Sequence, residues 1–315
     1  MTASAYRLLL TLVAGSLIGG TYIVGKLLLG QGLSPVAVSF VQVTGAAVLL
    51  QLGLRARGQR VPGDGRTRRF FVIAALIAVV GSTLLGNWVL ARIPAGIFTL
   101  VVTLSPLFTS WLNAALDRRW PPATALAGTA LGLLGVLLVL LPRAQAAEAE
   151  QALALLIALA VPVLLATGNV YRARHWPQGV AAPVVSAGTL SVQALALLPL
   201  MIGLQVRGQG GSAPADLAAA WPLLALLVVL TIAANVSASA LQRVADSVAY
   251  SQIGYVIALT GIGFGALLFG ERLGWAFAPA VGLVFAGIVL ANRPAAAPRR
   301  RAAVARSAAA LTSPR

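Results

Sequence analysis

Residues 247–274 read SVAYSQIGYVIALTGIGFGALLFGERLG, and residues 95–120 read AGIFTLVVTLSPLFTSWLNAALDRRW. Each is an apolar run of membrane-spanning length that closes on an acid followed by arginine: Glu271-Arg272 in one, Asp117-Arg118 in the other. A spanning helix needs ~20 mainly apolar residues. Continuous runs of that length exclude barrel strands, which alternate and are about half as long. Working outward, ten such stretches fill the chain: 8–29, 35–54, 70–90, 95–116, 122–141, 151–171, 180–204, 221–241, 247–270 and 275–292. From Asp117 to Gly128 is eleven positions, and from Glu271 to Gly282 is eleven again. Upstream, Leu90-Ala91-Arg92-Ile93-Pro94-Ala95 parallels Leu241-Gln242-Arg243-Val244-Ala245-Asp246, and Gly20-Thr21-Tyr22-Ile23-Val24-Gly25-Lys26 parallels Gly168-Asn169-Val170-Tyr171-Arg172-Ala173-Arg174.

A unit of five spans that is duplicated must enter the bilayer the opposite way the second time. The expected fold is therefore all-α: a polytopic membrane protein of ten transmembrane helices built as two inverted five-helix repeats. The repeats cover 1–146 and 147–292, and a basic tail covers 293–315.

Composition narrows the function classes. The 315-residue chain is 59% hydrophobic and 10% charged, with mean hydropathy +0.91. Soluble domains run about 45–50% apolar and about 25% charged, so the bilayer is the solvent here. Ten spans take up roughly 200 residues and leave only short loops, with no room for a soluble catalytic domain. Residues 1–29 carry one arginine and an apolar run too long for the core of a signal peptide, and read as a retained first span. Cysteine is absent and histidine occurs once, so no disulfide framework, thiolate site or histidine cluster is expected, and no metal or cofactor.

The net charge of +16 first reports orientation. With the N-terminus inside, eighteen of the 23 basic residues fall on the cytoplasmic side, among them Arg55, Arg57, Arg60, Arg66, Arg68 and Arg69 in one loop. Both termini are thus expected in the cytoplasm. The arginine-rich tail and loops suit anionic lipid headgroups rather than nucleic acid. Twenty-two arginines against one lysine in an Ala- and Leu-rich chain point to a GC-rich bacterial genome, and so to a bacterial inner membrane.

These features together resemble the ten-span EamA-type branch of the drug/metabolite transporter superfamily. The residues carrying the resemblance are Gly32-Leu33-Ser34-Pro35 opening the second span, Pro106 in the fourth, Gly128, Gly132 and Gly135 in the fifth, and Gly270-Glu271-Arg272-Leu273 followed by Gly282 and Gly287. Three positions depart from the family pattern: Gln42 stands where an arginine is common, Asp117 where glutamate is, and Tyr255-Val256-Ile257-Ala258 replaces a stretch that usually holds proline.

Polar groups inside spans are the candidates for chemistry, because each is costly in hydrocarbon. Lys26 has two readings: its long stem snorkels to the interface, or it holds a carboxylate or phosphate on a substrate. Asp117 and Glu271 end spans four and nine at symmetric positions and read as loop clasps beside Arg118, Arg119 and Arg272. No acid lies near the middle of a span, so a proton-coupling carboxylate is not expected. The amides Gln42, Asn87, Asn113, Asn169, Gln193, Asn235 and Gln252 serve as interhelical ties or as a wet cavity wall, with Tyr22, Trp88, Tyr171, Tyr250 and Tyr255 interleaved. The predicted substrate site is Lys26, Asn87, Trp88, Asn169, Asn235, Tyr250 and Gln252, converging on a central cavity, with spans five and ten outside it as scaffold. Gly15 with Gly19, Gly128 with Gly132, and Gly261 with Gly265 have the spacing for close helix approach. Packing within the chain accounts for them, and a homodimer is the second use.

The expected function is a secondary transporter, an exporter of small metabolites, amino acids or amphiphilic drugs by alternating access, and not an enzyme. The alternative is a lipid or lipid-phosphate translocator with Arg172 and Arg174 as phosphate partners.

Overall fold

The computed structural model describes residues 3–78, 83–121, 123–146, 148–207, 212–271 and 274–291. Arg272, Leu273 and the expected tail 293–315 lie outside these. Every regular element among the described residues is helical: α1 Ala3–Gly30, α2 Pro35–Ala56, α3 Gly65–Ala78, α4 Gly86–Leu90, α5 Ala95–Val102, α6 Ser105–Leu116, α7 Ala123–Ala146, α8 Ala149–Ala158, α9 Ala160–His175, α10 Ala182–Val206, α11 Pro214–Ala219, α12 Trp221–Val244, α13 Ser247–Ser251, α14 Ile253–Phe269 and α15 Phe277–Ala291.

Among the described residues, eight segments are long and apolar enough to cross a membrane by length and composition. The sequence reading of ten spans meets its limit at the last two. The expected span 247–270 breaks at Gln252 into the five-residue α13 and the 17-residue α14, and α15 has 15 residues. At 1.5 Å per residue α14 reaches about 25 Å, short of the ~30 Å hydrocarbon core, and α15 runs to Ala291, the last described residue. Gly270 stops α14 in the left-handed region, φ 59°, where a residue without Cβ is unstrained.

Other spans are interrupted where proline demands it. Pro106 sits in the first turn of α6, so α5 and α6 part at Thr103 and Leu104. Pro162 does the same between α8 and α9. The α2 helix begins with Ser34, whose side chain accepts from Ala37 N at 3.1 Å, followed by Pro35 at the first helical position.

The packing of the helices is unchanged in pattern when the two halves are exchanged. Helix α1 packs on α12 and α14, and its positional counterpart α9 packs on α3 and α6. Helix α2 packs on α12, as α10 does on α3; the pairs α2–α10 and α7–α15 each join an element to its counterpart, and α5–α14 joins the fourth apolar stretch to the ninth. The largest core cluster centres on α5, all eight of whose residues are buried. Large apolar side chains such as Leu12, Leu52, Leu195 and Leu267 are exposed on the outer helices, the arrangement that a hydrocarbon solvent requires.

The glycine pairs singled out in the sequence all serve contacts within the chain. A Cβ on Gly19 would lie 2.6 Å from Thr260 Cβ, joining α1 to α14. One on Gly261 would meet Thr99 of α5, and one on Gly287 would meet the backbone at Gly128 and Gly132 of α7.

Candidate functional site

A cavity of about 160 Å³ lies where both halves meet. Its wall takes residues from α1 to α6 of the first half and from α9, α10, α12, α13 and α14 of the second. None comes from α7 or α15. The interruptions at Leu104 and Gln252 lie beside it, placing Ser105 and Ser251 on the wall.

The wall is half polar. Asn87, 6% exposed, donates from Nδ2 to Ser39 Oγ at 2.8 Å, and Ser39 in turn donates to Pro35 O at 2.6 Å. Gln42 Nε2 donates to Thr231 Oγ1 at 3.1 Å, and Thr231 Oγ1 donates to Leu227 O at 2.7 Å. Asn235 Nδ2 donates to Thr231 O at 2.9 Å, and Asn169 Nδ2 reaches Ser105 Oγ at 3.5 Å. Each amide thereby satisfies part of its hydrogen-bonding capacity on the protein and keeps the rest for whatever occupies the cavity. Gln193, 4% exposed, has no hydrogen-bond partner among the described residues. Tyr22 stands edge-on to Phe98, ring centroids 5.0 Å apart, and supplies one aromatic wall; Tyr250 supplies the other.

Of the seven residues named from sequence, Asn87, Asn169, Asn235 and Tyr250 line this cavity, and Lys26, Trp88 and Gln252 do not. Lys26, on α1, donates from Nζ to Leu90 O at 2.7 Å and Ile93 O at 2.8 Å, capping the end of α4. Trp88 is one position round the helix from Asn87, which turns it about 100° away. Its ring lies under Arg92, whose Cζ is 4.0 Å from the ring centroid, and Arg92 also pairs with Glu150 at 2.7 Å. Gln252 is exposed in the break between α13 and α14.

Residues the sequence reading left out of the site include Thr21, Gln42, Thr83, Gln193, Thr231 and, above all, Arg172. A signal for several of them was present. Thr21 precedes Asn169 by 148 positions, Thr83 precedes Thr231 by 148 and Asn87 precedes Asn235 by 148, and all six line the cavity. A shared offset of 148 between polar residues of the two halves marks these six wall residues, though Lys26 and Arg174 share it off the wall.

Two clasps flank the cavity. At one, both carboxylate oxygens of Glu271 accept from the first N–H groups of α5, Ala95 at 2.6 Å and Gly96 at 2.9 Å. At the other, Arg174, 148 positions after Lys26, pairs with Asp117 at 2.7 Å and reaches Asn113 Oδ1 at 3.3 Å, while Asn113 Nδ2 donates to Ser247 Oγ at 2.7 Å. The Arg174 and Asp117 side chains are 36% and 51% exposed, so water and salt screen the pair. Arg174→Ala is expected to lower stability by no more than about 1 kcal/mol, read as a shift of a few degrees at most in the melting temperature of the purified protein.

Residues 6–141 match the EamA-like transporter family. A solved crystal structure superposes on the chain with a TM-score of 0.61 at 19% identity, covering 92% of this chain and 96% of its own, and so shares the fold. No curated protein matches the sequence. Over residues 6–141 the chain is thus similar to the EamA-like transporter family, and its apolar helices are those of a polytopic membrane protein.

Proposed function

We propose that the chain is a secondary transporter that exports a small solute across the inner membrane by alternating access between two inverted five-span repeats, 1–146 and 147–292. The observation that carries this reading is the cavity between the halves, walled by polar residues at matched positions. The exchange-symmetric packing of the helices supports a repeat, and an odd number of spans per repeat supports its inversion. The excess of arginine in alternate loops supports N- and C-termini on the cytoplasmic side.

Volume bears on the class of cargo. A cavity of about 160 Å³ holds roughly ten waters. That favours a solute of amino-acid size over a whole lipid.

The test is counterflow in proteoliposomes loaded in turn with amino acids, nucleobases, sugars or lipophilic cations. Saturable exchange of at least one solute is expected. Asn87→Leu and Asn235→Leu should each slow it about tenfold or more, because each leaves the cargo or a neighbouring polar group without its hydrogen bond in a dry wall. Exchange that survives both substitutions would remove the cavity from the pathway. Transfer of labelled lipid between leaflets with no solute exchange would instead establish lipid translocation.

A further inference from the structure

Three pairs of polar wall residues match across the two halves 148 positions apart, and the one charged residue among the described residues of the wall has no such match. Arg172 lies on the wall, and the position 148 before it is Val24, a buried apolar side chain of the α1 core. No other wall residue carries a charge. The cavity is therefore cationic on one side only.

Arg172 is not committed elsewhere. Its one hydrogen bond is long, Nε to Gly168 O at 3.4 Å, and among the described residues it has no acidic partner. The neighbouring Arg174, by contrast, is held by Asp117. Arg172 follows Asn169 by three positions on α9, so the two side chains share a helix face. Tyr250, 7% exposed, comes from α13, which packs on α9, and its hydroxyl has no hydrogen-bond partner among the described residues. A guanidinium, an amide and a phenol thus face the same space, and each keeps hydrogen-bonding capacity that its contacts among the described residues leave unused.

An unpaired guanidinium in a low-dielectric wall is costly unless something anionic meets it. Arg also offers a planar fork of N–H donors that matches a carboxylate or phosphate in two bonds. We infer that the cavity takes a small organic anion, its carboxylate or phosphate held by Arg172 with Asn169 and Tyr250. The apolar part lies against Val102, Ile253 and Ile257 on the wall. This rests on the reading of the cavity as the transport site and names the class of cargo.

Matched pairs of probes test it: glycerol 3-phosphate against glycerol, and benzoate against benzamide, each in counterflow with wild type, Arg172→Gln and Arg172→Lys. The anionic member of at least one pair should exchange about tenfold faster than its neutral partner. Arg172→Gln should erase that preference, and Arg172→Lys should restore part of it, since a point charge remains but the fork does not. The wild-type comparison stands even if a variant fails to fold. Neutral members exchanging as fast as anionic ones, or a preference unchanged in a folded Arg172→Gln protein, would overturn the inference and leave transport intact. Exchange of no solute at all would overturn the transport reading itself. In a parallel arm, leaflet transfer of labelled phosphatidic acid that depends on Arg172 would assign the bound phosphate to a lipid headgroup, whereas exchange of glycerol 3-phosphate alone assigns it to a free solute.

Discussion

Gly287→Ala should cost about 3 kcal/mol and lower the melting temperature of the purified protein by roughly 5–10 °C. A methyl group at 287 meets the carbonyl oxygen of Gly128 and stands 2.7 Å from Gly132 N and 3.2 Å from Gly132 Cα. All three obstacles are backbone, so no side-chain rotation relieves the clash. Helix α15 must move away from α7, and α7–α15 is the most extensive helix pairing among the described residues. In lipid no hydrophobic force holds two helices together, and close packing is most of what does. Moving them apart forfeits dispersion along the whole seam. Gly263→Ala is the control: its Cβ would find nothing within 4 Å, and alanine in a helix is favoured over glycine by roughly 0.5–1 kcal/mol. The two changes should therefore move stability in opposite directions. Equal behaviour would mean that the glycines of α15 have no packing role.

The spans were legible because the bilayer demands length and apolarity together, and few other structures satisfy both. Pro106 and Pro162 also announced the breaks before α6 and α9. The break at Gln252 has no proline and could not be foreseen, which is why Gln252 was placed in the site and is instead exposed. Asn87, Asn169 and Asn235 were legible because a buried amide must face a partner or a cavity. Trp88 shares Asn87's neighbourhood in sequence but not its helix face. Lys26 shows the general limit: its partners are backbone carbonyls 64 and 67 positions away, and backbone carries no sequence signature. Arg172 stands near the end of a span, so the sequence assigned it to the cytoplasmic face and, only in the lipid alternative, to a phosphate. Its place on the wall follows from the fold, which packs α13 with Tyr250 against α9.

The same reasoning explains why the two clasps, though related by position, differ in strength. Asp117 and Arg174 meet where both are exposed. Glu271 instead binds main chain at a point the helix cannot satisfy alone. The first N–H groups of any helix lack intrahelical partners. Pro94, at the N-cap of α5, offers no side-chain acceptor, so the carboxylate of Glu271 fills that role from α14's end. It also sits at the positive end of the α5 dipole, where an anion is favoured. Lys26 holds Leu90 O and Ile93 O on the other side of the same turn, close enough to Glu271 for their charges to attract.

Glu271→Ala is accordingly expected to cost about 3–4 kcal/mol, since it strands the backbone donors of two buried residues, Ala95 and Gly96, that had charge-assisted bonds. Glu271→Gln should cost about 2 kcal/mol, because one oxygen still accepts while the amide nitrogen faces a donor. Solute exchange should change more than stability does. The tether joins the start of α5 to the end of α14, elements that line the cavity through Val102 and Ile257, so releasing it alters the balance between the conformations a transporter must visit. A second substitution gives an independent check. Gly265 leaves room for the carboxylate: a Cβ there would stand 2.8 Å from Glu271 Oε2 and 3.4 Å from Gly96 N. Gly265→Ala keeps every charge and donor but displaces the carboxylate, so it should reproduce the melting and exchange behaviour of Glu271→Gln. In the double variant the two losses should fail to add, because both remove one interaction. Full additivity would show that Glu271 acts through some contact other than the N-terminus of α5.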